Sequence, residues 1–268
     1  MQQLGDLRGL RELCLTTNGI ALHRKLEAMV EHGLTGINLC LDTLDPWQFQ
    51  IMTRRKGFDA VMRSINRVYD LNKHGAGIRL KINCVVMRGI NDGEILPFVE
   101  ITREHDVEVR FIEYMPFDGN KWSQGKMFTY GEMLSVIREK HPTLHKVVDY
   151  KSDTSKTWKK PGYLGQIGFI TSMTHNFWRS SNRLRITNDG NLKVCLFGNS
   201  EVSLRDILRE SNAGQPIDES AYATLKASLL AGSNQALVES MASTDSKLLE
   251  TIGLNVKRKK EEHAALVN

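Results

Sequence analysis

Cysteine is scarce in this 268-residue sequence, and no two cysteines form a CxxC pair. The cysteines are Cys14, Cys40, Cys84 and Cys195. Their wide spacing excludes the dense disulfide framework of a small secreted domain, and it favours an intracellular, reducing compartment. On spacing alone, these cysteines are small apolar side chains of buried strands.

Long apolar runs are absent too. No segment approaches the roughly 20 apolar residues that a membrane-spanning helix needs, so we expect no membrane partner. The N-terminal sequence, MQQLGDLRGLRELCL, lacks the basic-then-apolar order of a secretory signal. It carries acids and is not Ser-rich, which is unlike a mitochondrial transit peptide.

The excess of basic residues is modest. Lysine and arginine outnumber aspartate and glutamate by 36 to 31, which gives a net charge of +5. This charge suits an anionic partner such as a nucleotide, although a solvated basic surface explains it as well. The basic run at 257–260 has two interpretations, phosphate contact or a solvated helix end. We expect no nucleic-acid partner.

Short apolar runs alternate with amphipathic helical stretches in the first half of the chain. The predicted strands are 12–17, 36–42, 78–86 and 107–115. The predicted helices are 22–33, 46–54, 58–74 and 93–105. Crossovers of this length join parallel strands into βαβ units, so the predicted fold class is α/β.

The first three predicted strands have one aliphatic face and one polar face. In the third, Leu80 and Ile82 alternate with Lys81 and Asn83. An open doubly wound sheet is apolar on both faces, because helices cover both. A polar face instead predicts a partial (βα) TIM-type barrel, with helices outside and a polar ligand cavity inside. The fourth strand alternates less clearly.

Ligands of such barrels bind at the C-terminal ends of the strands. We therefore expect residues near the ends of the predicted strands to surround one mouth. These residues are 16–19, 42–43, 83–92 and 113–115.

The second half of the chain, residues 125–268, is predicted to be an α+β domain that follows a barrel domain of residues 1–124. Its predicted elements are a helix at 129–140, a polar surface loop at 141–163, strands at 165–171 and 184–187, a hairpin turn at 188–191, a strand at 192–197 and a mostly helical segment at 201–263.

Six segments, in order along the chain, resemble the GTP 3′,8-cyclase family of molybdenum-cofactor biosynthesis. They are LTTNGI (15–20), INLCLDTLD (37–45), KINCVVMRGIND (81–92), RFIEYMPFDGNKW (110–122), GFITSMTHNF (168–177) and NRLRITNDGNLKVCLFG (182–198). The FDGNKW sequence resembles the eukaryotic branch, and the resemblance implies the mitochondrial matrix as the compartment.

This resemblance implies a radical S-adenosylmethionine (SAM) lyase with two [4Fe–4S] clusters, one that cleaves SAM and one that binds GTP. The implied reaction uses a 5′-deoxyadenosyl radical to convert GTP to (8S)-3′,8-cyclo-7,8-dihydroguanosine 5′-triphosphate. The implied fold is a partial (βα) barrel closed by a C-terminal domain. The expected partners are GTP and either a second copy of the chain or the cyclic pyranopterin monophosphate synthase that acts next.

The resemblance also implies binding residues. Those that resemble GTP contacts are Thr16, Lys81, Arg183, Leu184 and Arg185. Those that resemble SAM contacts are Cys40, where the family has serine, and Met115. Taken alone, Lys81 is also explained as a lysine that reaches solvent from a strand, and Met115 as core packing.

Both cluster motifs depart from the family pattern. In the C-terminal Cys-x2-Cys-x13-Cys motif, Trp178 and Ser181 replace the first two ligands, and only Cys195 remains. Tryptophan offers iron no lone pair, serine is a poor substitute for a thiolate, and one cysteine cannot hold a cubane. The N-terminal CxxxCxxC, the Gly-Gly-Glu-Pro segment and the C-terminal Gly-Gly are not found in these residues.

We therefore expect an N-terminally truncated member of the family that lacks the first two barrel strands and both clusters, with no identifiable catalytic residue. Three interpretations stay open. The chain, or a fuller form of the same product, is a cyclase; or it is a non-catalytic remnant that binds GTP or a partner; or it is an incomplete or decaying gene product. For the chain by itself we expect no cyclase activity.

Overall fold

The computed structural model describes residues 2–7, 9–116, 120–148, 154–174, 183–193, 201–210 and 243–257. The chain divides into two compact units, Met1–Ser181 and Asn182–Asn268. This division lies later in the chain than the domain boundary predicted between residues 124 and 125, which stays a prediction. No helix in the described ranges is both long and apolar enough to cross a membrane.

The first unit is built on one mixed sheet. Its strands are β1 (Cys14–Thr17), β2 (Gly36–Cys40), β3 (Arg79–Val86), β4 (Val107–Glu113), β5 (His145–Lys146), β6 (Lys156–Lys159) and β7 (Gln166–Ile170). They lie in the order β1-β2-β3-β4-β7-β6-β5. The first five in that order pair in parallel, whereas β6 pairs antiparallel with both β7 and β5. The four parallel strands predicted in the first half are thus confirmed.

The first unit also contains six helices among its described residues. They are α1 (Gln2–Gly5), α2 (Leu26–Glu31), α3 (Pro46–Thr53), α4 (Phe58–Lys73), α5 (Ile95–Glu104) and α6 (Tyr130–Lys140). Short 3-10 turns lie at Leu22–Arg24, Asp92–Glu94 and Gln124–Lys126. The single helix predicted at 22–33 is therefore a 3-10 turn followed by α2.

Local sequence explains where two of the helices begin. Asp45 caps α3, because its side chain accepts the Gln48 N–H at 2.7 Å and Pro46 takes the first helical position. Thr129 and Glu132 form a capping box on α6, in which each side chain accepts the other's backbone N–H. Both helices begin close to the residues where these signals place them.

The helices cover one face of the sheet, and the alternation predicted for β3 is confirmed. Leu80 and Ile82 are 2% and 0% exposed, whereas Lys81 and Asn83 keep partial exposure. Helices α4 and α5 contribute buried side chains to the same core as Leu80 and Ile82. Within the described residues the sheet runs from β1 to β5 and does not close into a barrel. The observed class is α/β, with a sheet rich in parallel pairs.

One prediction about a later segment is wrong. The stretch 141–163 is not one surface loop, because it contains β5 and β6 and its Trp158 is only 5% exposed. Pairing with β7 stabilises β6, and such tertiary pairing is not visible in a polar sequence. The segment 201–263, predicted to be mostly helical, is helical at Leu204–Glu210 and at 243–257, and it begins with a short strand at Glu201–Ser203. Three residues are too few to show a strand period.

The second unit contains a small antiparallel sheet. Its strands are β8 (Arg185–Ile186), β9 (Asn191–Lys193) and β10 (Glu201–Ser203), in the order β10-β9-β8. Helix α7 (Leu204–Glu210) follows β10 directly, and residues 243–257 are helical. The predicted turn between β8 and β9 is confirmed, and Gly190 takes a φ of 83° there, which glycine adopts without strain.

Candidate functional site

Polar residues lie side by side on the face of the sheet that the helices leave uncovered. Strand register pairs successive members of one row from β1 to β7. We call this the Lys81 row, and its members are Thr16, Asn38, Lys81, Glu108 and Gln166. Because alternate residues of a strand share a face, the residues two positions further on form a second row on the same face.

The second row, which we call the Arg110 row, consists of Cys40, Asn83, Arg110 and Gly168. The side-chain oxygen of Asn83 is buried and has no hydrogen-bond partner among the described residues. Gly168 leaves space beside Arg110, since a Cβ built on this glycine would lie 3.1 Å from Arg110 Cγ. This row therefore combines a cation with an unpaired hydrogen-bond acceptor.

Glu108 links the two rows through its charge. Its carboxylate accepts hydrogen bonds from Arg110 Nε at 2.7 Å and Nη2 at 3.3 Å, and Lys81 Nζ lies 3.4 Å from Oε2. Glu108 is 7% exposed, whereas the side chains of Arg110 and Lys81 are 15% and 31% exposed. One buried carboxylate is shared by two more accessible cations, so the face keeps an excess of positive charge.

The ionisation of Glu108 follows from these neighbours. Burial raises the pKa of its carboxyl, but the hydrogen bond from Arg110 and the charges of Arg110 and Lys81 outweigh burial and hold the pKa below its ordinary value. Glu108 is therefore ionised at neutral pH. An ionised carboxylate accepts on both oxygens, which the observed pairing with the guanidinium requires.

The loop after β3 is held by the buried side chain of Asn91. Its amide donates to the carbonyls of Asp42 at 2.7 Å and Val85 at 2.9 Å, and its oxygen accepts the Met87 N–H at 2.7 Å. Asp42 Oδ1 in turn accepts the Val85 N–H at 2.8 Å, and burial raises the pKa of Asp42. These bonds tie the loop to the segment that follows β2.

The end of β4 is held by Glu113, which is 1% exposed. Its carboxylate accepts the N–H groups of Tyr130, Met173 and Thr174 at 2.8, 2.8 and 2.9 Å, and the Thr174 hydroxyl at 2.6 Å. The two carboxylate oxygens of this one side chain thus accept from four donors. Met115, two residues further on, is 8% exposed.

A cleft of about 560 Å³ opens at the C-terminal ends of β2 and β3. Asp42 and Met87 line it from the ends of these strands, and Ile51 and Met52 line it from α3. The sequence predicted that Asp42 and the loop after β3 lie at a common mouth, and both border this cleft.

Family models match most of the chain. Residues 2–101 match the Radical SAM superfamily, and residues 107–228 match the family Molybdenum Cofactor Synthesis C. The chain is also 47% identical over 266 residues to molybdenum cofactor biosynthesis protein 1 of Bos taurus, which covers 99% of the chain and 36% of that protein. The chain belongs to the radical SAM family of molybdenum cofactor biosynthesis.

Two further members of this radical SAM family are named as cyclases. The protein named GTP 3′,8-cyclase, mitochondrial, of Arabidopsis thaliana is 42% identical over 99% of the chain and 59% of its own length. The GTP 3′,8-cyclase of Chlorobaculum tepidum is 37% identical over 75% of the chain and 60% of its own length. The chain spans less than two thirds of the length of each relative. It is more similar to the cattle and Arabidopsis proteins, at 47% and 42% identity, than to the Chlorobaculum protein at 37%, which agrees with the eukaryotic-like motif.

Thr16 and Lys81, the residues of the first unit that are predicted to contact GTP, both lie in the Lys81 row. They are two strand spacings apart, or roughly 10 Å. Cys40 lies in the neighbouring Arg110 row, and Met115 follows the end of β4. The binding roles of all four residues stay predictions.

The other predicted contacts belong to the second unit or lie outside the described ranges. Arg185 begins β8, and Arg183 and Leu184 precede it, with Leu184 39% exposed. The three positions of the C-terminal cluster motif lie outside the described residues. These are Trp178, Ser181 and Cys195.

Sequence reasoning missed Glu108 and Arg110. In β4 both alternate with buried apolar residues such as Val107 and Val109. The signal that identified Lys81 in β3 was thus also present in the fourth strand. Only strand register shows that Glu108 lies opposite Lys81, because the two residues belong to different βαβ units.

The radical SAM family implies [4Fe–4S] clusters, and the described cysteines do not suit one. In the described ranges, no group of three or more His, Cys, Asp or Glu side chains could hold a metal ion. Cys14 pairs with Gly36, so Cys40 lies four residues, or about 13 Å, further along the sheet. Cys84 is on the opposite, apolar face, where burial raises its pKa well above the usual value. These three thiols cannot share one cluster.

Proposed function

We propose that the uncovered face of the first unit binds GTP, and that the chain is the substrate-binding part of a GTP 3′,8-cyclase. The observation that carries this proposal is the pairing of Lys81 and Arg110, on adjacent strands, with Glu108. Two neighbouring cations suit the oxygens of a polyphosphate, which accept charge-assisted hydrogen bonds. The names of the Arabidopsis and Chlorobaculum relatives support GTP as the polyphosphate.

Other polar groups of the face support binding of the nucleoside. Thr16 Oγ1 accepts from Asn38 Nδ2 at 3.4 Å, which leaves its hydroxyl hydrogen to donate to a ligand. The buried oxygen of Asn83 needs a donor, and a ribose hydroxyl or a guanine amino group supplies one. Arg183, Leu184 and Arg185, which belong to the second unit, are further proposed GTP contacts because they resemble those of the cyclase family.

We also propose that the sheet is one wall of a partial (βα) barrel in which Cys40 and Met115 contact SAM. These 268 residues hold neither [4Fe–4S] cluster in this proposal, because Trp178 and Ser181 occupy two ligand positions of the C-terminal motif and no CxxxCxxC is present. The role of the chain's own residues is then to bind and orient GTP.

Isothermal titration calorimetry with GTP tests this function. Wild type is expected to bind GTP, and the Lys81→Ala and Arg110→Ala variants are expected to bind about tenfold more weakly, because each loses charge-assisted hydrogen bonds to phosphate. Lys73→Ala is the control, since Lys73 lies at the end of α4 and its side chain is 71% exposed. Wild-type chain that binds no GTP would contradict the proposal.

A second candidate function is that of a non-catalytic GTP-binding remnant. The polar face of the sheet, with Lys81 and Arg110, is intact, while Trp178 and Ser181 replace cluster ligands, and this contrast favours it. Anaerobic reconstitution separates the two candidates. Bound iron and formation of 5′-deoxyadenosine from SAM identify a cyclase, whereas GTP binding without either identifies a remnant. An in-frame CxxxCxxC encoded upstream of Met1 would make the chain part of a longer cyclase.

The proposed protein partners are a second copy of the chain and the cyclic pyranopterin monophosphate synthase that acts next. Light scattering tests the first, and co-purification with the synthase tests the second. The proposed compartment is the mitochondrial matrix, which the name of the Arabidopsis relative supports. Fractionation of cells that express the chain tests the compartment.

A further inference from the structure

The Glu108–Arg110 pair leaves part of the guanidinium for a ligand. Arginine has five N–H donors, and Glu108 takes two of them through Arg110 Nε and Nη2. Among the described residues, the remaining donors of Arg110 have no hydrogen-bond partner. Pairing along one edge therefore fixes the plane of the guanidinium while its other edge keeps donors for an anion.

Gly168 makes the room that this pair needs. It lies opposite Arg110 in the register of β4 and β7. A Cβ built on Gly168 would meet Ser155 Oγ and would lie 2.8 Å from Glu108 Oε1. The Glu108 carboxylate thus occupies space that the side chain of any residue larger than glycine at position 168 would fill. Strand β7 therefore also contributes to the geometry of the Glu108–Arg110 pair.

Lys81 completes the arrangement from the other side. Its ammonium lies 3.4 Å from Glu108 Oε2, on the strand that pairs with β4. Without the carboxylate, two cations on adjacent strands would repel each other and lose their common partner. Glu108 therefore has the position of a group that holds both cations side by side.

We propose that Glu108 is a positioning residue of the anion-binding face, which holds the Arg110 guanidinium and the Lys81 ammonium together so that they bind a polyphosphate. This inference rests on the proposed function. The change in anion affinity that it predicts for neutralisation of Glu108 is opposite to the change expected from charge alone. Loss of one negative charge should by itself tighten anion binding, so a weakening on neutralisation of Glu108 reports positioning.

The test is calorimetry of the full 268-residue chain with GTP and with sodium tripolyphosphate. Glu108→Gln keeps the shape of the side chain and is expected to weaken binding of both anions about tenfold, the effect of losing a strong charge-assisted hydrogen bond. Glu27→Gln is the matched control, because Glu27 pairs with Arg67 on exposed helical positions and loses the same charge. It is expected to leave both affinities unchanged.

Two further measurements separate positioning from a general loss of structure. In an Arg110→Ala background, Glu108→Gln is expected to weaken binding less than it does in wild type, because only the contact with Lys81 remains to be lost. Arg110→Lys keeps the positive charge but cannot form two hydrogen bonds to Glu108, so its affinity for both anions should fall as in Glu108→Gln. It replaces Glu108→Gln in the test if that variant does not fold. The Nε–H resonance of Arg110, identified by its loss in Arg110→Lys, should shift in Glu108→Gln and not in Glu27→Gln.

The outcomes distinguish this inference from the proposed function. If Glu108→Gln binds either anion as tightly as wild type or more tightly, the positioning role is overturned while GTP binding stands. If wild type binds tripolyphosphate in a Glu108-dependent manner but does not bind GTP, the positioning role stands and the proposed function fails. If wild type binds neither anion, both are overturned.

Discussion

Glu113 and Thr174 are 61 residues apart in the chain, and the Glu113 carboxylate accepts both the N–H of Thr174 at 2.9 Å and its hydroxyl at 2.6 Å. The same carboxylate accepts the N–H of Tyr130, the first residue of α6. One buried side chain therefore ties the end of β4 to α6 and to the segment after β7. Since β4 also carries Glu108 and Arg110, this contact supports the strand that carries the proposed anion-binding residues.

Glu113→Gln should lower the free energy of unfolding by about 3 kcal/mol, because an NH₂ group would replace one oxygen that accepts buried N–H donors. Urea denaturation followed by circular dichroism measures the change. Glu139→Gln on α6 is the control, since Glu139 is exposed. Equal midpoints for the two variants would show that the fold does not need the Glu113 contacts.

Asn91→Ala should lower the free energy of unfolding by about 2 kcal/mol, because the buried carbonyls of Asp42 and Val85 lose their shared donor. Amide hydrogen exchange in the loop after β3 should quicken, most clearly at Met87, whose N–H loses its acceptor. The exposed Asn66 offers a matched Asn66→Ala control. Unchanged exchange at Met87 would mean that the loop does not depend on Asn91.

Two glycine substitutions should have opposite effects. Gly168→Ala should destabilise the fold by about 2 kcal/mol and weaken GTP binding, because its methyl group would crowd Ser155 and Glu108. Gly131→Ala should stabilise α6 by roughly 0.5 to 1 kcal/mol, since alanine favours the helix and nothing lies near its Cβ. Thermal unfolding measures both changes. Similar shifts in the two variants would contradict the packing described around Gly168.

The capping box of α6 should make stability depend on pH in the acidic range. Hydrogen bonds from the Thr129 N–H, the Arg88 guanidinium and the Thr129 hydroxyl lower the pKa of Glu132 to about 2. Because the pKa is lowered, ionised Glu132 stabilises the folded state at pH values above 4.5, its ordinary pKa. This stabilisation is lost as the pH falls from 4.5 to about 2. Because Glu132 is largely exposed, the effect should be below about 1 kcal/mol.

Melting temperatures of wild type and Glu132→Gln, recorded over that acidic range, measure this contribution. The difference between the two should be largest above pH 4.5 and should shrink as the pH falls towards 2, where about half of Glu132 is protonated in the folded chain. A difference that stays constant across the range would mean that the charge of Glu132 does not contribute to the stability of the folded chain.

The sequence by itself determined the elements whose cause is local. The alternation of Leu80 and Ile82 with Lys81 and Asn83 predicted both the strand β3 and its polar face, because side chains of a strand point alternately to opposite sides. The helical patterns at 46–54 and 129–140 likewise predicted α3 and α6, because the periodicity of a helix is a local property of the sequence.

Only the tertiary structure decided which of these residues meet. The position of Glu108 beside Lys81 depends on the register of β3 and β4, and the room for the Glu108–Arg110 pair depends on Gly168 of a strand more than fifty residues away. Strand β6 and the contact of Glu113 with Thr174 likewise form only when distant segments pack. Register and packing are set by the whole sheet at once, and no single segment encodes them.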